Sequence, residues 1–132
     1  MSDLGRRQEY ISRINRVCDY IETNLDRELT LDELARVASF SKFHFHRLFR
    51  AFSGETLFQF IQRLRLERAA YLLLNDPEKP ITAVALDCGF SGPAVFTRSF
   101  RSRFRLSPSV YRKRGQTKSK LGQSIGNTGK AP

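Results

Sequence analysis

The apolar residues between positions 56 and 74 change sides along one predicted helix, and this pattern limits the folds open to the chain. One stripe consists of Leu57, Phe60, Ile61 and Leu64, and the other consists of Leu66, Ala69, Ala70 and Leu73. At about 100° of rotation per residue, the second stripe lies on the opposite side of the helix from the first. A helix of this kind can contribute to two small cores, so we expect two compact parts that share one long helix.

The remaining apolar residues also repeat at helical spacing, and no segment shows a convincing alternation with period two. Further helices are expected over about 7–25, 31–38, 42–52 and 81–88, then from Ser91 or Gly92 to about Phe104, with a short last helix near Tyr111. The periodicity therefore predicts helices throughout the folded part of the chain.

Residues that favour helix ends mark several of these boundaries. Thr30 and Glu33 form a capping-box pattern, in which the threonine hydroxyl accepts from the Glu33 amide and the glutamate reaches back. Ser41 can cap the next helix, and Gly89 suits the left-handed residue that follows a helix. Ser107, which is followed by a proline, predicts the start of the last helix.

The chain repeats one plan twice: a short helix, a turn of about three or four residues, and a longer basic helix. This is the helix-turn-helix unit, once over 31–52 and once over 81–104. The residues predicted to face the core are Phe45, Leu48, Phe49 and Phe52 in the first longer helix, and Phe96 and Phe100 in the second. The opposite faces carry Lys42, Phe43, His46, Arg47 and Arg50 in the first, and Ala94, Arg98, Arg101 and Arg105 in the second. The predicted fold class is all-α, with two helix-turn-helix subdomains joined by a long central helix and about seven helices in total.

The length of the central helix fits the repeat of double-helical DNA. Its 19 residues, at about 1.5 Å each, give about 28 Å, and one turn of B-DNA is about 34 Å. An α-helix that carries arginines is narrow enough to enter a major groove. We therefore expect the helices over about 42–52 and 93–104 to read two successive major-groove segments on one face of a duplex.

Acidic and basic residues are segregated along the chain. Ten of the 23 Lys and Arg residues follow Asp87, whereas all 13 Asp and Glu residues lie at or before it. The segment up to Asp87 is therefore neutral, and the segment after it carries the net charge of +10, which favours a polyanionic partner. A solvated basic tail that only aids solubility is the alternative.

Several classes of protein and of site do not fit the sequence. No apolar run approaches the roughly 18 residues of a membrane-spanning helix, and MSDLGRRQEY lacks the apolar segment of a secretory signal. Cys18 and Cys88 are too few for a disulfide framework and are expected to be buried, reduced thiols of a cytosolic protein. His44 and His46 lie about 200° apart on a helix and cannot share a metal ion. We expect no metal, no cofactor and no catalytic residue, because the chain has no acid–base pair, metal cluster or phosphate loop.

Three strings of residues in the second half carry a resemblance to a known family. They are Ile81-x-x-Val84-Ala85-x-x-Cys88-Gly89-Phe90-Ser91, then Phe96-x-Arg98-x-Phe100-x-x-x-Phe104, then Ser107-Pro108-x-x-Tyr111-Arg112. The first half contributes Leu34-Ala35, Ser41-Lys42-Phe43-x-x-x-Arg47-x-Phe49 and the following Gly54. On these residues, positions 11–114 resemble the DNA-binding domain of the AraC/XylS-type transcription regulators. The resemblance implies the same fold of two helix-turn-helix subdomains and the binding of promoter DNA.

The resemblance also implies which residues contact DNA bases. They are Phe43, His46 and Arg47 in the first unit, and Pro93, Ala94, Val95 and Arg98 in the second. Many relatives carry polar residues near positions 93 and 94, so direct readout in the second unit is expected to rest on Arg98. Ala94 or Val95 would add apolar contacts to thymine methyl groups, and the first unit is expected to discriminate more strongly. For Phe43 a place in the core remains an alternative, and for His46 a contact with phosphate or solvent.

A second set of residues is expected to contact the phosphate backbone, which positions a protein without specifying a sequence. This set consists of Lys42, Arg50, Arg101 and Arg105, together with the helix caps Thr30 and Ser41.

The expected function is that of a sequence-specific regulator that binds double-stranded promoter DNA in the bacterial cytoplasm, at the nucleoid. Members of the family mostly activate transcription and touch RNA polymerase, so an activator with that partner is expected. The alternative is a non-specific architectural or RNA-binding basic module, which would use the same arginines with little base discrimination.

We expect one DNA-binding domain over 1–114, made of a first subdomain over about 7–55, a linker helix over about 56–74 and a second subdomain over about 75–114. Residues 115–132 are rich in Gly, Ser, Lys, Gln and Asn, which predicts a flexible basic tail or linker. The chain is expected to be the N-terminal part of a longer regulator, in which a domain that binds a small-molecule effector follows. A complete small regulator with a frayed end is the alternative.

Overall fold

The computed structural model describes residues 3–117, and the regular structure in that range is entirely helical. The helices are α1 (Asp3–Thr23), α2 (Leu31–Val37), α3 (Lys42–Ser53), α4 (Leu57–Asn75), α5 (Ile81–Asp87), α6 (Pro93–Phe104) and α7 (108–117). The predicted all-α class and the predicted number of helices are confirmed. None of these helices is both long enough and apolar enough to cross a membrane.

The predicted helix boundaries agree with the structure to within a few residues, and the largest differences lie at the two ends. α1 begins at Asp3 and ends at Thr23, whereas the sequence predicted a helix over about 7–25. α7 continues through residue 117, so the first three residues of the predicted tail, 115–117, are helical. The rest of the predicted tail, 118–132, lies outside the described residues.

The chain divides into two compact units, Met1–Arg65 and Leu66–Pro132, and each has a hydrophobic core of its own. The buried core of the first unit consists of Ile14, Val17, Ile21, Leu25, Leu34, Ala35, Ala38, Phe45, Phe49, Leu57 and Ile61. The buried core of the second consists of Leu66, Ala69, Ala70, Leu73, Val84, Ala85, Cys88, Phe90, Phe96 and Phe100. The two apolar stripes of α4 therefore belong to different cores, as the sequence predicted.

Aromatic rings pack against the buried side of the longer helix in each unit. In the first unit, the ring of Phe49 meets Phe60 of α4 edge to face, with centroids 5.2 Å apart. In the second unit, the ring of Phe100 lies 5.6 Å from Phe96 and 5.2 Å from Tyr111 of α7. Because these rings occupy one side of α3 and of α6, the opposite side of each helix faces solvent.

The two helix-turn-helix turns have the same hydrogen-bond pattern. The Phe40 amide donates to the Ala35 carbonyl, and the Phe90 amide donates to the Ala85 carbonyl, each at 3.0 Å. Each bond closes the C-terminus of the short helix and directs the chain toward the longer one. The repeat predicted from the sequence therefore extends to the backbone of the turn.

Left-handed backbone occurs at equivalent places in the two units. At the turn it is adopted by Ser39, with φ 61°, and by Gly89, with φ 89°. At the end of the longer helix it is adopted by Gly54, with φ 77°, and by Arg105, with φ 66°. Glycine adopts this conformation freely, whereas residues with a Cβ atom do not, so Ser39 and Arg105 occupy unfavourable backbone conformations.

One side chain that was predicted to face the core lies at the surface. Phe52 is 37 % exposed, and Leu48 is only half-buried. Phe52 lies in the last turn of α3, one residue before the helix ends at Ser53, and it does not belong to the buried core of the first unit. Helical periodicity assigned it to the correct side of α3, but that side is not covered at the end of the helix.

Candidate nucleic-acid interface

The outer face of α3 combines aromatic and basic side chains. Phe43, His46, Arg47 and Arg50 occupy positions i, i+3, i+4 and i+7 of the helix, and all are exposed. Helical geometry puts them on one side, opposite the buried phenylalanines of the same helix. Phe43 is 76 % exposed, so the alternative that it belongs to the core is wrong.

The start of α3 is fixed by a cap and by an aromatic cluster. The Ser41 hydroxyl accepts from the His44 amide at 3.2 Å, which satisfies one amide of the first turn. The His44 ring packs against Tyr10 and Phe40, with centroids 5.7 and 5.1 Å away. His44 is therefore held against the protein, whereas His46 is exposed. Within residues 3–117, no group of three or more His, Cys, Asp or Glu side chains is arranged to hold a metal ion.

Two arginines of α1 reach the turn that precedes α3. Arg13 Nη1 donates to the Ser39 carbonyl at 3.2 Å, and Arg16 Nη1 donates to the Val37 carbonyl at 3.1 Å. Carbonyls at a helix C-terminus have no partner within the helix, so these arginines satisfy them. This role could not be predicted from the sequence, because the partners lie 26 and 21 residues away along the chain.

A shallow groove lies beside the candidate base-contacting residues of the first unit. It is lined by Leu31, Lys42, Phe43, His46 and Arg47. Leu31 and Phe43 provide apolar surface, while Lys42 and Arg47 provide positive charge. This combination suits a nucleic acid, which presents apolar base surface beside anionic phosphate.

The start of α6 presents small and apolar side chains next to backbone amides. Pro93, Ala94 and Val95 form its first turn and are exposed, as is Arg98 one turn later. Gly92 precedes the helix in extended backbone and has no side chain with which to cap the first amides. The helix N-terminus carries partial positive charge, which complements an anionic partner.

A row of exposed arginines occupies the outer face of each longer helix. Within residues 3–117, no hydrogen bond or ion pair involves the exposed side chains of Arg47, Arg50, Arg98, Arg101 and Arg105. Guanidinium groups that are close together and uncompensated create a positive potential along the helix. An exposed basic row of this kind is typical of a surface that binds nucleic acid.

Other arginines are occupied inside their own unit. Arg65 Nε donates to the Leu25 carbonyl at 3.0 Å in the first unit. Arg103 lies on α6 itself, but its Nη2 is 3.3 Å from Glu67 Oε2 in the second unit. The positive charge of the chain is therefore divided between arginines that hold the fold together and arginines available to a partner.

The side chains predicted to contact phosphate are all exposed, but three of them also have intramolecular partners. Lys42 Nζ lies 3.5 Å from Asp32 Oδ1. The Thr30 hydroxyl accepts a hydrogen bond of 3.1 Å from the Glu33 amide, and the Ser41 hydroxyl accepts one from the His44 amide. A hydroxyl that accepts a hydrogen bond from an amide can still donate its own proton, so these caps can also donate to a phosphate oxygen.

Known proteins match this chain in sequence over most of its length. The family model described as a helix-turn-helix domain matches residues 34–114. The Transposon Tn10 TetD protein of Escherichia coli is 39 % identical over 107 residues, which cover 81 % of this chain and 77 % of TetD. Regulatory protein SoxS of Salmonella typhimurium is 35 % identical over 101 residues, which cover 76 % of this chain and 94 % of SoxS.

Solved structures match the fold as well. The DNA-binding domain of AdpA, the global transcriptional factor, solved in complex with a target DNA, has a TM-score of 0.75 and 27 % identity, and covers 80 % of this chain and 94 % of that domain. An AraC-type regulator from Chromobacterium violaceum has a TM-score of 0.72 and 26 % identity, and covers 86 % of this chain and 96 % of that one. Together with the motifs of the sequence, these matches show that the chain belongs to the AraC/XylS-type family of helix-turn-helix transcription regulators, which bind DNA.

Proposed function

We propose that this regulator binds promoter DNA by inserting α3 and α6 into two successive segments of the major groove. The observation that carries the proposal is the pair of exposed arginine rows, one on each longer helix, without partners in residues 3–117. The major groove admits an α-helix and presents a hydrogen-bonding pattern that distinguishes all four base pairs. Each unit repeats the same turn and the same buried face, so each supplies one reading helix.

In the first unit, Arg47 is the principal reader. Its guanidinium is exposed and has no partner within residues 3–117, and two of its N–H groups can donate to O6 and N7 of one guanine. Phe43 provides apolar contact with a neighbouring base. His46 lies beside Arg47 in the same groove of the protein and contacts the next base along the duplex.

In the second unit, Arg98 reads guanine and the first turn of α6 contacts thymine. Pro93, Ala94 and Val95 carry no polar side-chain atom, so they favour thymine, whose C5-methyl group is the apolar feature of the major groove. Only one hydrogen-bonding reader remains in this unit. The second unit therefore discriminates less strongly than the first.

The phosphate backbone is contacted by the side chains that flank these readers. They are Lys42 and Arg50 on α3, Arg101 and Arg105 at the end of α6, and the caps Thr30 and Ser41. Contacts of this kind set the register of the protein on the duplex and supply affinity that is independent of sequence.

We further propose that the bound regulator activates transcription by contacting RNA polymerase. Similarity to SoxS, which is named as a regulatory protein, supports a role in regulation. Transcription in vitro from a template that carries the selected site, with purified polymerase, measures this directly. A rise in transcript with added regulator is expected, and a fall would mean repression instead.

The proposal of DNA reading is tested by selection of binding sites from random duplexes, followed by competition. The selected duplex and a scrambled duplex of the same composition are titrated against each other at one salt concentration. A preference of at least about a thousandfold is expected for a specific regulator, whereas a ratio near one would favour a non-specific architectural or RNA-binding module. Two conserved blocks in the selected site, about one helical turn apart, are expected if α3 and α6 read successive grooves.

A further inference from the structure

α3 and α6 end in the same backbone conformation but with different residues. The C-cap of α3 is Gly54, whose amide donates to the Arg50 carbonyl at 2.9 Å. The C-cap of α6 is Arg105, whose amide donates to the Arg101 carbonyl at 2.8 Å. Both C-caps are left-handed, with φ 77° and 66°. The internal repeat therefore places a glycine and an arginine in one structural role.

Arginine is unfavourable in that role. A left-handed residue brings its Cβ atom close to the following carbonyl, which is why glycine is the usual residue after the end of a helix. At the equivalent place in the first unit, a Cβ atom built on Gly54 would meet no atom within 4 Å. The cost of a side chain at this position is thus a property of the backbone rather than of crowding.

The other non-glycine residue in left-handed backbone is held by a contact. The carbonyl of Ser39 accepts a hydrogen bond of 3.2 Å from Arg13. Arg105 has no comparable contact in the described chain, because its side chain is exposed and makes no hydrogen bond or ion pair within residues 3–117. Contacts that offset the strain at Arg105 are therefore absent from the described part of the protein.

The position of Arg105 continues the arginine row of α6. It follows Arg101 by four residues and Arg98 by seven, so the C-cap lies at the end of the helix side that carries these two arginines. Guanidinium groups at these spacings repel one another in the free protein. A polyanion placed along the row would relieve the repulsion and add an attraction.

We propose that Arg105 is kept in strained backbone because it contacts a DNA phosphate at the C-terminal end of α6, so that the chain exchanges stability for affinity. The proposal rests on the proposed function, in which α6 lies in a major groove. A backbone outlier that no contact in the described part of the protein supports is a reason to seek a functional contact. The ligand group is a phosphate rather than a base, because phosphates flank a helix that lies in the groove.

Three substitutions at position 105 separate backbone strain from charge. Arg105→Gly removes both the strain and the charge, and Arg105→Asn removes the charge with a residue that tolerates left-handed backbone. Arg105→Lys keeps both. Arg68→Ala is the matched control for charge, because Arg68 is an exposed arginine of the same unit that lies on α4, outside the candidate interface.

Thermal unfolding and binding to the selected duplex are measured for each variant. Arg105→Gly is expected to raise the Tm by about 2–5 °C and Arg105→Asn by less, while Arg105→Lys leaves it unchanged. Arg105→Gly and Arg105→Asn are expected to weaken DNA binding about three- to tenfold, equally on selected and scrambled duplexes, and to reduce the logarithmic salt slope by about one. Arg105→Lys and Arg68→Ala are expected to bind as the unaltered protein does.

The strain at Arg105 and its contact with phosphate would be contradicted by different results. A Tm that falls in Arg105→Gly would mean that the arginine stabilises the helix end, and no exchange of stability for affinity would exist. An unchanged salt slope in Arg105→Gly, or an equal change in Arg68→Ala, would mean that Arg105 contacts no phosphate. Failure of the proposed function looks different, because the unaltered protein would then show no preference for the selected duplex, whatever the variants do.

Discussion

The guanidinium of Arg13 on α1 donates a hydrogen bond of 3.2 Å to the carbonyl of Ser39, the left-handed residue between α2 and α3. The same guanidinium pairs with Glu9 at 2.7 Å and lies 4.8 Å from the centre of the Phe40 ring. One side chain therefore links α1 to the turn that orients the reading helix of the first unit.

Replacement of Arg13 by alanine is expected to lower the free energy of unfolding by about 1–2 kcal/mol, because the Ser39 carbonyl in the turn after α2 loses its charged donor. Equilibrium unfolding in urea measures the change. Arg7→Ala is the control, since Arg7 is an exposed arginine of α1 without a partner in the described chain, and it should change stability by less than about 0.5 kcal/mol. Equal effects of the two substitutions would contradict a specific role for Arg13.

Low pH is expected to reduce the stability that Glu33 gives to the loop before α2. Hydrogen bonds from Arg27 and Tyr20 lower the pKa of Glu33 from 4.5 to about 2. Because the carboxylate is favoured in the folded state, its contribution to stability is present above about pH 4.5 and is lost as the pH falls toward 2. Unfolding in urea from pH 6 to pH 2 should show that Glu33→Gln differs most from the unaltered protein at pH 6. A difference that stays constant down to pH 2 would exclude this linkage.

Base discrimination is expected to depend on one arginine in each unit. Arg47→Ala and Arg98→Ala should each lose about 1–3 kcal/mol of preference for the selected duplex over a single-base variant of its site. The affected base pair should differ between the two variants, because the arginines lie on different reading helices. Arg68→Ala serves as the control that should keep the full preference. If the Arg47 and Arg98 variants weakened binding equally on every duplex, these arginines would be phosphate contacts instead.

The affinity for DNA is expected to fall steeply with salt. Each phosphate neutralised by a basic side chain contributes about −0.9 to the slope of log K against log salt concentration, so the four basic side chains proposed to contact phosphate give a slope of about −3.5. These side chains are Lys42 and Arg50 of the first unit and Arg101 and Arg105 of the second. Titrations between about 50 and 300 mM salt would measure the slope, and a value shallower than about −2 would argue against these contacts.

A cavity made in one core is expected to destabilise mainly the unit that contains it. Phe45 and Phe96 are completely buried, each in the core of its own unit, and truncation of either to alanine should cost about 3–5 kcal/mol. Amide hydrogen exchange resolved along the chain measures where protection is lost. Phe45→Ala should deprotect α1, α2 and α3 most, and Phe96→Ala should deprotect α5 and α6. Uniform loss of protection in both variants would mean that the units unfold together.

Much of this architecture could be predicted because its causes are local. The opposite stripes of α4 follow from helical rotation over a few turns, and the caps at Thr30 and Ser41 join residues three positions apart. The left-handed conformation at Gly89 likewise follows from a glycine at the end of a short helix. Patterns within one or two turns therefore predicted the helices, the two cores and the exposed faces of α3 and α6.

The assignments that the sequence missed depend on neighbours far along the chain. Phe52 has the spacing of a core residue, but whether a ring at the end of α3 is covered depends on what packs there. The roles of the arginines could not be separated either: Arg103 pairs with Glu67, 36 residues away, while Arg101 on the same helix has no partner within residues 3–117. A long charged side chain reaches whatever the fold places beside it, so composition and spacing determined that the chain is basic and helical. Only the tertiary structure decided which of its charges are used inside the protein and which remain for DNA.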